Sequence, residues 1–278
     1  MSSTKTQARS AAPKGINIEM IDVGGQELRV ATKPGKPGRI PLLMFNGIGA
    51  NLELGFPFLN AHKDTPTIIF DIPGVGGSPM PRFPYRPWTL ARMTKLLLDK
   101  LGVDQVDVSG VSWGGGLAQQ FTFQYSSRVR RLILVATSSG WTMVPGRPAV
   151  LSKMGSIRRY TDKGYMRSIA ADIYGGDFRT DPTLIEAHAS GMRPSSQAGY
   201  MLQLLGMTGW TSVPFLWRLK QRTLILSGTD DPLIPVANAR ILHRLIPNSR
   251  LELVDNGHLF VVTRPKETAA TIEAFLTE

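Results

Sequence analysis

The fold is decided by ten residues near the centre of the chain, Val106-Asp107-Val108-Ser109-Gly110-Val111-Ser112-Trp113-Gly114-Gly115. The first part is an apolar run typical of a buried strand, and the last part begins a helical pattern. Gly110 and Gly114 flank Ser112 at the positions where larger side chains would collide with the neighbouring strand and helix. This strand–turn–helix sequence predicts a strained turn that holds the Ser112 hydroxyl above the edge of a sheet. The alternative is an incidental serine in a glycine-rich turn. A reactive serine needs a base and a carboxylate, so the presence of such residues at suitable positions decides between the two interpretations.

Short apolar runs on both sides of this turn are typical of parallel strands that are buried on both faces. They cover residues 42–45, 67–70, 106–108, 132–136, 223–226 and 251–254. Helical patterns lie at residues 90–101, 113–125 and 264–276, and a hairpin pattern at 16–22 and 26–32 precedes them. Strands that alternate with helices predict an α/β fold with a mostly parallel, doubly wound sheet.

The alternation of strands and helices stops between residues 139 and 220. This segment shows short helical patterns, no convincing core strand, and six of the 11 Met and three of the 5 Trp residues. We interpret residues 139–220 as a helical cap, or lid, inserted into an α/β core formed by residues 15–138 and 221–278. Its apolar residues predict either a binding surface or an ordinary satellite core.

Composition and charge exclude several classes of protein. The chain has no cysteine, which excludes disulfides, thiolate catalysis and cysteine metal sites. No apolar run is long enough for a membrane helix, and the basic residues 1–14 lack the apolar block of a secretory signal. We therefore expect a disordered tail over residues 1–14 and a cytoplasmic protein. The net charge of +11 is dispersed and does not alternate with aromatic residues, so it does not indicate a nucleic-acid partner.

A serine hydroxyl is a weak nucleophile unless a base takes its proton, and histidine serves most often. The chain contains four histidines. His62 lies in a polar loop, His188 in the predicted cap, and His243 inside a helical pattern. Only His258 follows a predicted core strand, in a loop where a glycine precedes it. We therefore predict that His258 is the general base for Ser112.

A carboxylate is expected to orient this histidine, and in hydrolases with such a turn it lies between the serine and the histidine in the chain. The loop after residues 223–226 contains two adjacent candidates, Asp230 and Asp231. We favour Asp231 and keep Asp230 as the alternative. The loop after the preceding strand, residues 137–139, contains no carboxylate.

The oxyanion that forms during acyl transfer needs two N–H donors. One belongs to the residue after the nucleophile, and the other to a loop that follows an earlier strand. These positions predict the backbone N–H groups of Trp113 and Ile48 as the oxyanion hole.

Motifs over nearly the whole chain resemble one family. They are Phe45-Asn46-Gly47-Ile48-Gly49-Ala50-Asn51-Leu52-Glu53-Leu54, Asp71-Ile72-Pro73-Gly74-Val75-Gly76-Gly77-Ser78, Gly110-Val111-Ser112-Trp113-Gly114-Gly115, Asp230-Asp231-Pro232-Leu233-Ile234-Pro235 and Asp255-Asn256-Gly257-His258-Leu259-Phe260, together with residues 173–179 and 209–212. The chain is thereby similar to the intracellular medium-chain-length poly(3-hydroxyalkanoate) depolymerases of pseudomonads, which have the α/β-hydrolase fold.

This resemblance implies hydrolysis of ester bonds in a stored polyester granule, with release of 3-hydroxy acids or short oligomers. It carries the roles of the triad over to Ser112, Asp231 and His258, and it requires no metal and no cofactor. Asn46 stands where many α/β hydrolases have His, as in this family. We expect Asn46 and Trp210, which stand in shared motifs, to contact the substrate. The resemblance also gives the cap a role in drawing an apolar chain toward the serine at the granule surface.

Three other functions stay open at this point. An esterase, C–C hydrolase or perhydrolase acting on a small soluble substrate would have the same triad. A nucleotide-dependent oxidoreductase is suggested by Gly47-Ile48-Gly49 and Asp71, but Leu52 replaces the third glycine and Pro57 interrupts the expected helix. A non-catalytic granule-coating or ligand-sensing protein would not need three matched catalytic loops. The sequence gives no basis for an oligomeric state, a side-chain-length preference, or a choice between exo and endo cleavage.

Overall fold

The central sheet has eight strands within residues 14–156, 158–192 and 196–278, which the computed structural model describes. The strands are β1 (Asn17–Val23), β2 (Gln26–Lys33), β3 (Leu42–Phe45), β4 (Thr67–Phe70), β5 (Val106–Val111), β6 (Val129–Val135), β7 (Arg222–Gly228) and β8 (Ser249–Val254). Their order is β1-β2-β4-β3-β5-β6-β7-β8, with β2 antiparallel to β1 and β4 and all other neighbours parallel. The predicted hairpin and mostly parallel sheet are confirmed. Of the predicted tail, residues 1–13 lie outside the described residues.

Helices cover both faces of the sheet, which confirms the doubly wound architecture. The α-helices are α1 (Phe56–Ala61), α2 (Pro87–Lys100), α3 (Trp113–Gln124), α4 (Pro148–Gly155), α5 (Arg158–Thr161), α6 (Lys163–Tyr174), α7 (Asp177–Thr180), α8 (Pro182–Gly191), α9 (Gln197–Met207), α10 (Val236–Leu245), α11 (Phe260–Thr263) and α12 (Pro265–Thr277). Apolar side chains of α2, α3 and α10 pack on one face, and those of α1, α11 and α12 on the other. Burial of each Leu or Phe in these layers stabilises the fold by roughly 1.5–3 kcal/mol.

Strand β6 begins earlier than its apolar run predicts. The run begins at residue 132, whereas the strand begins at Val129 and includes two arginines. Arg130 pairs with the buried carboxylate of Asp107 on the adjacent strand, Nη2 to Oδ2 2.5 Å, and Arg131 donates to the carbonyl of Phe275. These partners allow charged residues to lie inside the sheet. The strand also ends one residue before the prediction, because Ala136 has a φ of +46° that turns the chain.

The order of the strands reverses next to β3, which lies between β4 and β5. The chain therefore leaves β3 toward one side of the sheet and leaves β5 toward the other. Loops at the carboxyl ends of such a pair diverge and open a crevice, which is where open α/β sheets bind ligands. The loop that carries Ile48 and the turn that carries Ser112 both begin at this crevice.

Helices α4–α9 are the helices of the segment interpreted above as the cap, residues 139–220. They connect β6 to β7 and have an apolar cluster of their own, including Met166, Ile173 and Tyr200. The cap contacts loops at the carboxyl ends of the strands. The side-chain Oε1 of Gln203 accepts a hydrogen bond from Gly49 N at 2.6 Å, and the backbone carbonyl of Gln203 accepts one from Trp113 Nε1 at 3.1 Å. These bonds hold the cap over the crevice.

The described part of the chain contains no helix with both the length and the apolarity that a membrane crossing requires.

Candidate active site

Ser112 occupies a strained turn between β5 and α3. Its φ of +53° and ψ of −118° lie in a region that residues with a side chain rarely adopt. The turn is held by a hydrogen bond from Ser112 N to Val135 O at 2.9 Å, and by one from Thr137 Oγ1 to Ser112 O at 2.6 Å. The surrounding structure therefore stabilises a strained backbone conformation at Ser112, which lies immediately before the first residue of α3.

Close packing explains why glycine flanks the serine on both sides. A Cβ atom on Gly110 would lie 2.3 Å from the carbonyl oxygen of Gly114, and a Cβ on Gly114 would lie 2.3 Å from the carbonyl oxygen of Phe45. Backbone cannot give way as the end of a side chain can. The tight turn therefore requires glycine at both positions, which agrees with the reason inferred from the sequence.

His258 is oriented by Asp231. The distance from Nδ1 of His258 to Oδ2 of Asp231 is 2.7 Å, and both side chains are buried. The other oxygen of the carboxylate accepts from the backbone N–H groups of Leu233 and Ile234, at 2.9 and 2.8 Å. An ionised carboxylate only accepts hydrogen bonds, so Nδ1 carries the proton and Nε2 keeps a lone pair. This is the tautomer that a general base requires.

The two adjacent aspartates have different surroundings. Asp230 faces outward, where it forms an ion pair with Arg179 and accepts from Gly176 N at 2.7 Å. The structure thus brings Asp231, and not Asp230, to His258. Tyr174 fixes the histidine further, because its carbonyl accepts from His258 N at 2.6 Å and its ring stacks on the imidazole at a centroid distance of 6.3 Å.

Ser112 and His258 line the same cavity of about 60 Å³. Asn46, Gly47 and Ile48, in the loop after β3, line it as well. A Cβ on Gly47 would lie 3.7 Å from the Cβ of Ser112, so the loop after β3 approaches the serine closely. Trp113 begins α3, where backbone N–H groups have no partner within the helix. The structure therefore places Ser112, His258 and Ile48 around one cavity, with Asp231 bonded to His258 and Trp113 directly after the serine.

A second cavity, of about 440 Å³, adjoins the first and also includes Ser112. Its walls are mainly apolar and come mostly from α3, the cap helices and the segments on either side of those helices. They include Trp113, Trp141, Met143, Leu151, Leu204, Met207 and Trp210. Ser112 therefore lies where a small cavity and a large apolar cavity meet.

The two residues predicted to contact substrate line different cavities. Asn46 lines the small one, where its Nδ2 donates to the carbonyl of Asn51 at 3.1 Å and so supports the loop. Trp210 lines the large one, and its Nε1 donates to Gln120 Oε1 at 2.9 Å. The apolar ring of Trp210 is available to a ligand, while its polar atom is already bonded.

Two further residues of the small cavity were not found from the sequence. Arg159 and His188 belong to the cap, and both line the cavity that contains Ser112. Burial first, and the charge of Arg159 second, lower the pKa of His188 to about 4. No sequence signal separates Arg159 from the exposed Arg158 beside it, and His188 lies in a segment without a recognised motif.

The remaining histidines lie away from Ser112. His243 is in α10, as its pattern predicts. His62 lies in the loop after α1, as predicted, but its side chain is buried, with Nε2 2.9 Å from Glu273 Oε2. The burial of His62 was not predicted, because the carboxylate beside it comes from α12, which contacts α1 from the other end of the chain.

Comparison with known proteins agrees with this geometry. Residues 40–265 match the sequence profile of the alpha/beta hydrolase fold family. The chain belongs to the alpha/beta hydrolases.

Individual alpha/beta hydrolases to which the chain is similar are known by their reactions. The chain is 49% identical, over 96% of its length and 94% of the relative, to a poly(3-hydroxyalkanoate) depolymerase of Ectopseudomonas oleovorans. It is 25% identical to 3-oxoadipate enol-lactonase 2 of Acinetobacter baylyi, over 87% of the chain and 90% of that protein. In structure it is similar to the enol-lactonase of Burkholderia xenovorans LB400, with a TM-score of 0.81, 22% identity, and coverage of 94% of this chain and 100% of that one. The resemblance inferred from the motifs is confirmed.

Proposed function

We propose that this protein is a serine hydrolase that cleaves the ester bonds of a poly(3-hydroxyalkanoate), with Ser112 as nucleophile, His258 as general base and Asp231 as the orienting carboxylate. The observation that carries the proposal is that Ser112 and His258 line one cavity, while Asp231 bonds to Nδ1 of His258 from outside that cavity. The 49% identical relative is named a depolymerase of this polymer, and that name supplies the substrate class.

The proposed reaction is acyl transfer in two halves. His258 takes the proton of the Ser112 hydroxyl as its oxygen attacks the ester carbonyl, and Asp231 stabilises the imidazolium. The alcohol end of the cleaved bond leaves with that proton. Water then attacks the acyl-enzyme, assisted by His258 again, and releases the acid. Every proton taken by His258 in one step is returned in the next.

The backbone N–H groups of Ile48 and Trp113 are proposed to stabilise the tetrahedral oxyanion. The N-terminus of α3 adds a partial positive charge on the same side of the serine. Such a donor typically contributes about a hundred- to a thousandfold in rate. Gln203 supports both elements from the cap, because its side chain and its carbonyl accept from the loop of Ile48 and from the Trp113 side chain.

The larger cavity favours a substrate with alkyl side chains. Its volume of about 440 Å³ and its Trp, Met and Leu walls suit an apolar group of medium length, whereas a small soluble ester would leave most of it empty. Apolar burial supplies roughly 0.8 kcal/mol per CH₂ group, so longer alkyl groups would bind more tightly until the cavity is filled. We therefore propose medium-chain-length polymers as the preferred substrate.

Exposed apolar side chains support action at the surface of a polyester granule. Trp141 and Leu151 line the large cavity and are also exposed, so they lie where a polymer chain would enter. Other large exposed side chains include Phe83, Leu205 and Trp217. Contiguous exposed apolar side chains mark surfaces that bind apolar partners, and Trp141 and Leu151 lie in the wall of one cavity.

Hydrolysis of native granules tests the proposal. Purified wild type should release 3-hydroxy acids from granules with medium side chains faster than from granules with short ones, and Ser112→Ala should release none above background. Ser152→Ala, which removes an exposed hydroxyl in α4, is the matched control and should keep full activity. Rapid turnover of a soluble nitrophenyl ester by wild type with no release from any granule would instead favour a small-substrate esterase.

A further inference from the structure

The loop that carries His258 is held by the cap as well as by the core. From the core, Asp230 N donates to the carbonyl of Asn256 at 3.0 Å. From the cap, the carbonyl of Tyr174, the last residue of α6, accepts from His258 N at 2.6 Å. The side chain of Asn256 is buried and faces Asp177, the first residue of α7. Its Oδ1 accepts from Asp177 N at 3.0 Å, and its Nδ2 donates to Asp177 Oδ2 at 2.7 Å.

Close packing shows that the cap and this loop touch through their backbones. Gly176 has a φ of +51°, and a Cβ atom there would overlap Asn256 Oδ1 and Gly257 N. In the other direction, a Cβ atom on Gly257 would overlap the carbonyl oxygen of Tyr174. Glycine on each side therefore allows the cap segment to lie directly against the residues that precede His258.

The carboxylate of Asp177 is itself fixed by a cation. The Nε and Nη2 atoms of Arg264, the residue before α12, donate to its two oxygens, both at 2.9 Å. Such a two-point contact orients a carboxylate. Hydrogen bonding by Arg264, foremost, holds the pKa of the Asp177 carboxyl below its usual range, so this group is ionised at neutral pH. Because an ionised carboxylate only accepts, the amide of Asn256 pairs with it in one orientation, with Nδ2 toward the carboxylate.

We propose that the Asp177–Asn256 pair positions the general base, because it fixes the loop of His258 to the cap and so sets the place of the imidazole relative to Ser112. This inference rests on the proposed function, in which His258 is the base. Asp231 fixes the tautomer and rotation of the ring, whereas the pair fixes the backbone from which the ring extends. Neither Asp177 nor Asn256 lines either of the two cavities at Ser112, so they act through His258 and not on the substrate.

Reversing the polarity of one hydrogen bond tests this role. Asn256→Asp keeps the oxygen that accepts from Asp177 N, but it places a second carboxylate oxygen against Asp177 Oδ2, where the amide donated. A displacement of about 1 Å at a reacting group lowers a rate by about a hundredfold. We therefore expect kcat for nitrophenyl octanoate, at the plateau of its pH profile, to fall about ten- to a hundredfold, with KM within about threefold of wild type.

A second substitution should restore the bond with donor and acceptor exchanged. The double variant Asn256→Asp with Asp177→Asn again places an amide against a carboxylate, so its kcat should recover to within about fivefold of wild type. Asp177→Asn alone changes a partly exposed side chain and should lower kcat about tenfold, because two donors then face each other. This single variant tests the same bond if Asn256→Asp does not fold in thermal denaturation.

The matched control is Asp181→Ala, which removes the acceptor for Thr183 N at the start of α8 and leaves the loop of His258 unchanged. It weakens the neighbouring part of the cap and should keep kcat within about twofold. An unchanged kcat in Asp177→Asn, no recovery in the double variant, or an equal loss in Asp181→Ala would overturn the positioning role and leave the proposed function intact. Failure of wild type to hydrolyse the ester would refute the proposed function itself.

Discussion

Replacement of Asp231 by Asn tests the histidine pair through the direction of one hydrogen bond. In the wild type, one carboxylate oxygen accepts from Leu233 N and Ile234 N, and the other accepts from His258 Nδ1 at 2.7 Å. An asparagine must turn its carbonyl toward the two backbone N–H groups. Its NH₂ group then faces Nδ1, which has to become the acceptor. The proton moves to Nε2, and the imidazole can no longer take a proton from Ser112.

This change of tautomer sets the expected magnitude. An Asp→Asn substitution that forces the wrong tautomer in a serine hydrolase lowers kcat about 10⁴-fold, with the geometry of the site retained. We expect Asp231→Asn to lower kcat about 10³- to 10⁴-fold, which corresponds to about 4 to 5 kcal/mol at 1.36 kcal/mol per factor of ten. KM should change little, because the substituted group does not line either cavity.

The assay is steady-state hydrolysis of a nitrophenyl alkanoate, with Asp230→Asn as the matched control. Asp230 pairs with Arg179 at the surface, so its substitution should leave kcat within about twofold. The melting temperature of each variant shows whether the fold is retained. The reasoning fails if Asp231→Asn keeps more than about a tenth of the wild-type kcat, or if both variants lose the same activity.

Three further predictions address packing, pH and the cap. Gly114→Ala should fail to fold or have a much lower melting temperature in thermal denaturation, because the added Cβ would lie 2.3 Å from Phe45 O. Gly155→Ala is the control: its Cβ would meet open space, so its melting temperature should not fall. His188 has its pKa lowered to about 4 from 6.5, chiefly by burial, so the unfolded chain binds a proton more readily and stability is lost as pH falls from 6.5 toward 4. Urea titrations should show that wild type loses about 1–2 kcal/mol more than His188→Gln between pH 7 and 5, and equal losses would contradict this assignment. Gln203→Ala removes the acceptor for Gly49 N, so kcat for a nitrophenyl ester should fall about tenfold, and an unchanged kcat would show that the cap does not support the oxyanion loop.

The fold could be predicted from the sequence because buried parallel strands leave continuous apolar runs. The runs located every strand of the core, and they failed only at strand ends. Arg130 belongs to β6 because it pairs with Asp107 on the adjacent strand, and a partner on another strand leaves no signal in the local sequence. His62 shows the same limit, since its burial depends on α12, more than 200 residues further along the chain.

The candidate site could be predicted only where chemistry and chain order coincide. Ser112 is marked by its flanking glycines, and His258 and Asp231 by their position after strands. Arg159 carries no such mark, because the packing of α5 against α9 through Tyr200 decides that it faces inward while Arg158 faces water. Tertiary packing decides which side chain lines a cavity, and the local sequence does not encode that packing.

Covalent labelling of the serine measures most directly whether its hydroxyl is activated by the imidazole. A fluorophosphonate should form one adduct per chain, located at Ser112 by peptide mass spectrometry. The labelling rate should fall at least a hundredfold in His258→Gln and stay unchanged in the control His243→Gln. An adduct at another residue, or equal labelling rates in wild type and His258→Gln, would contradict the account.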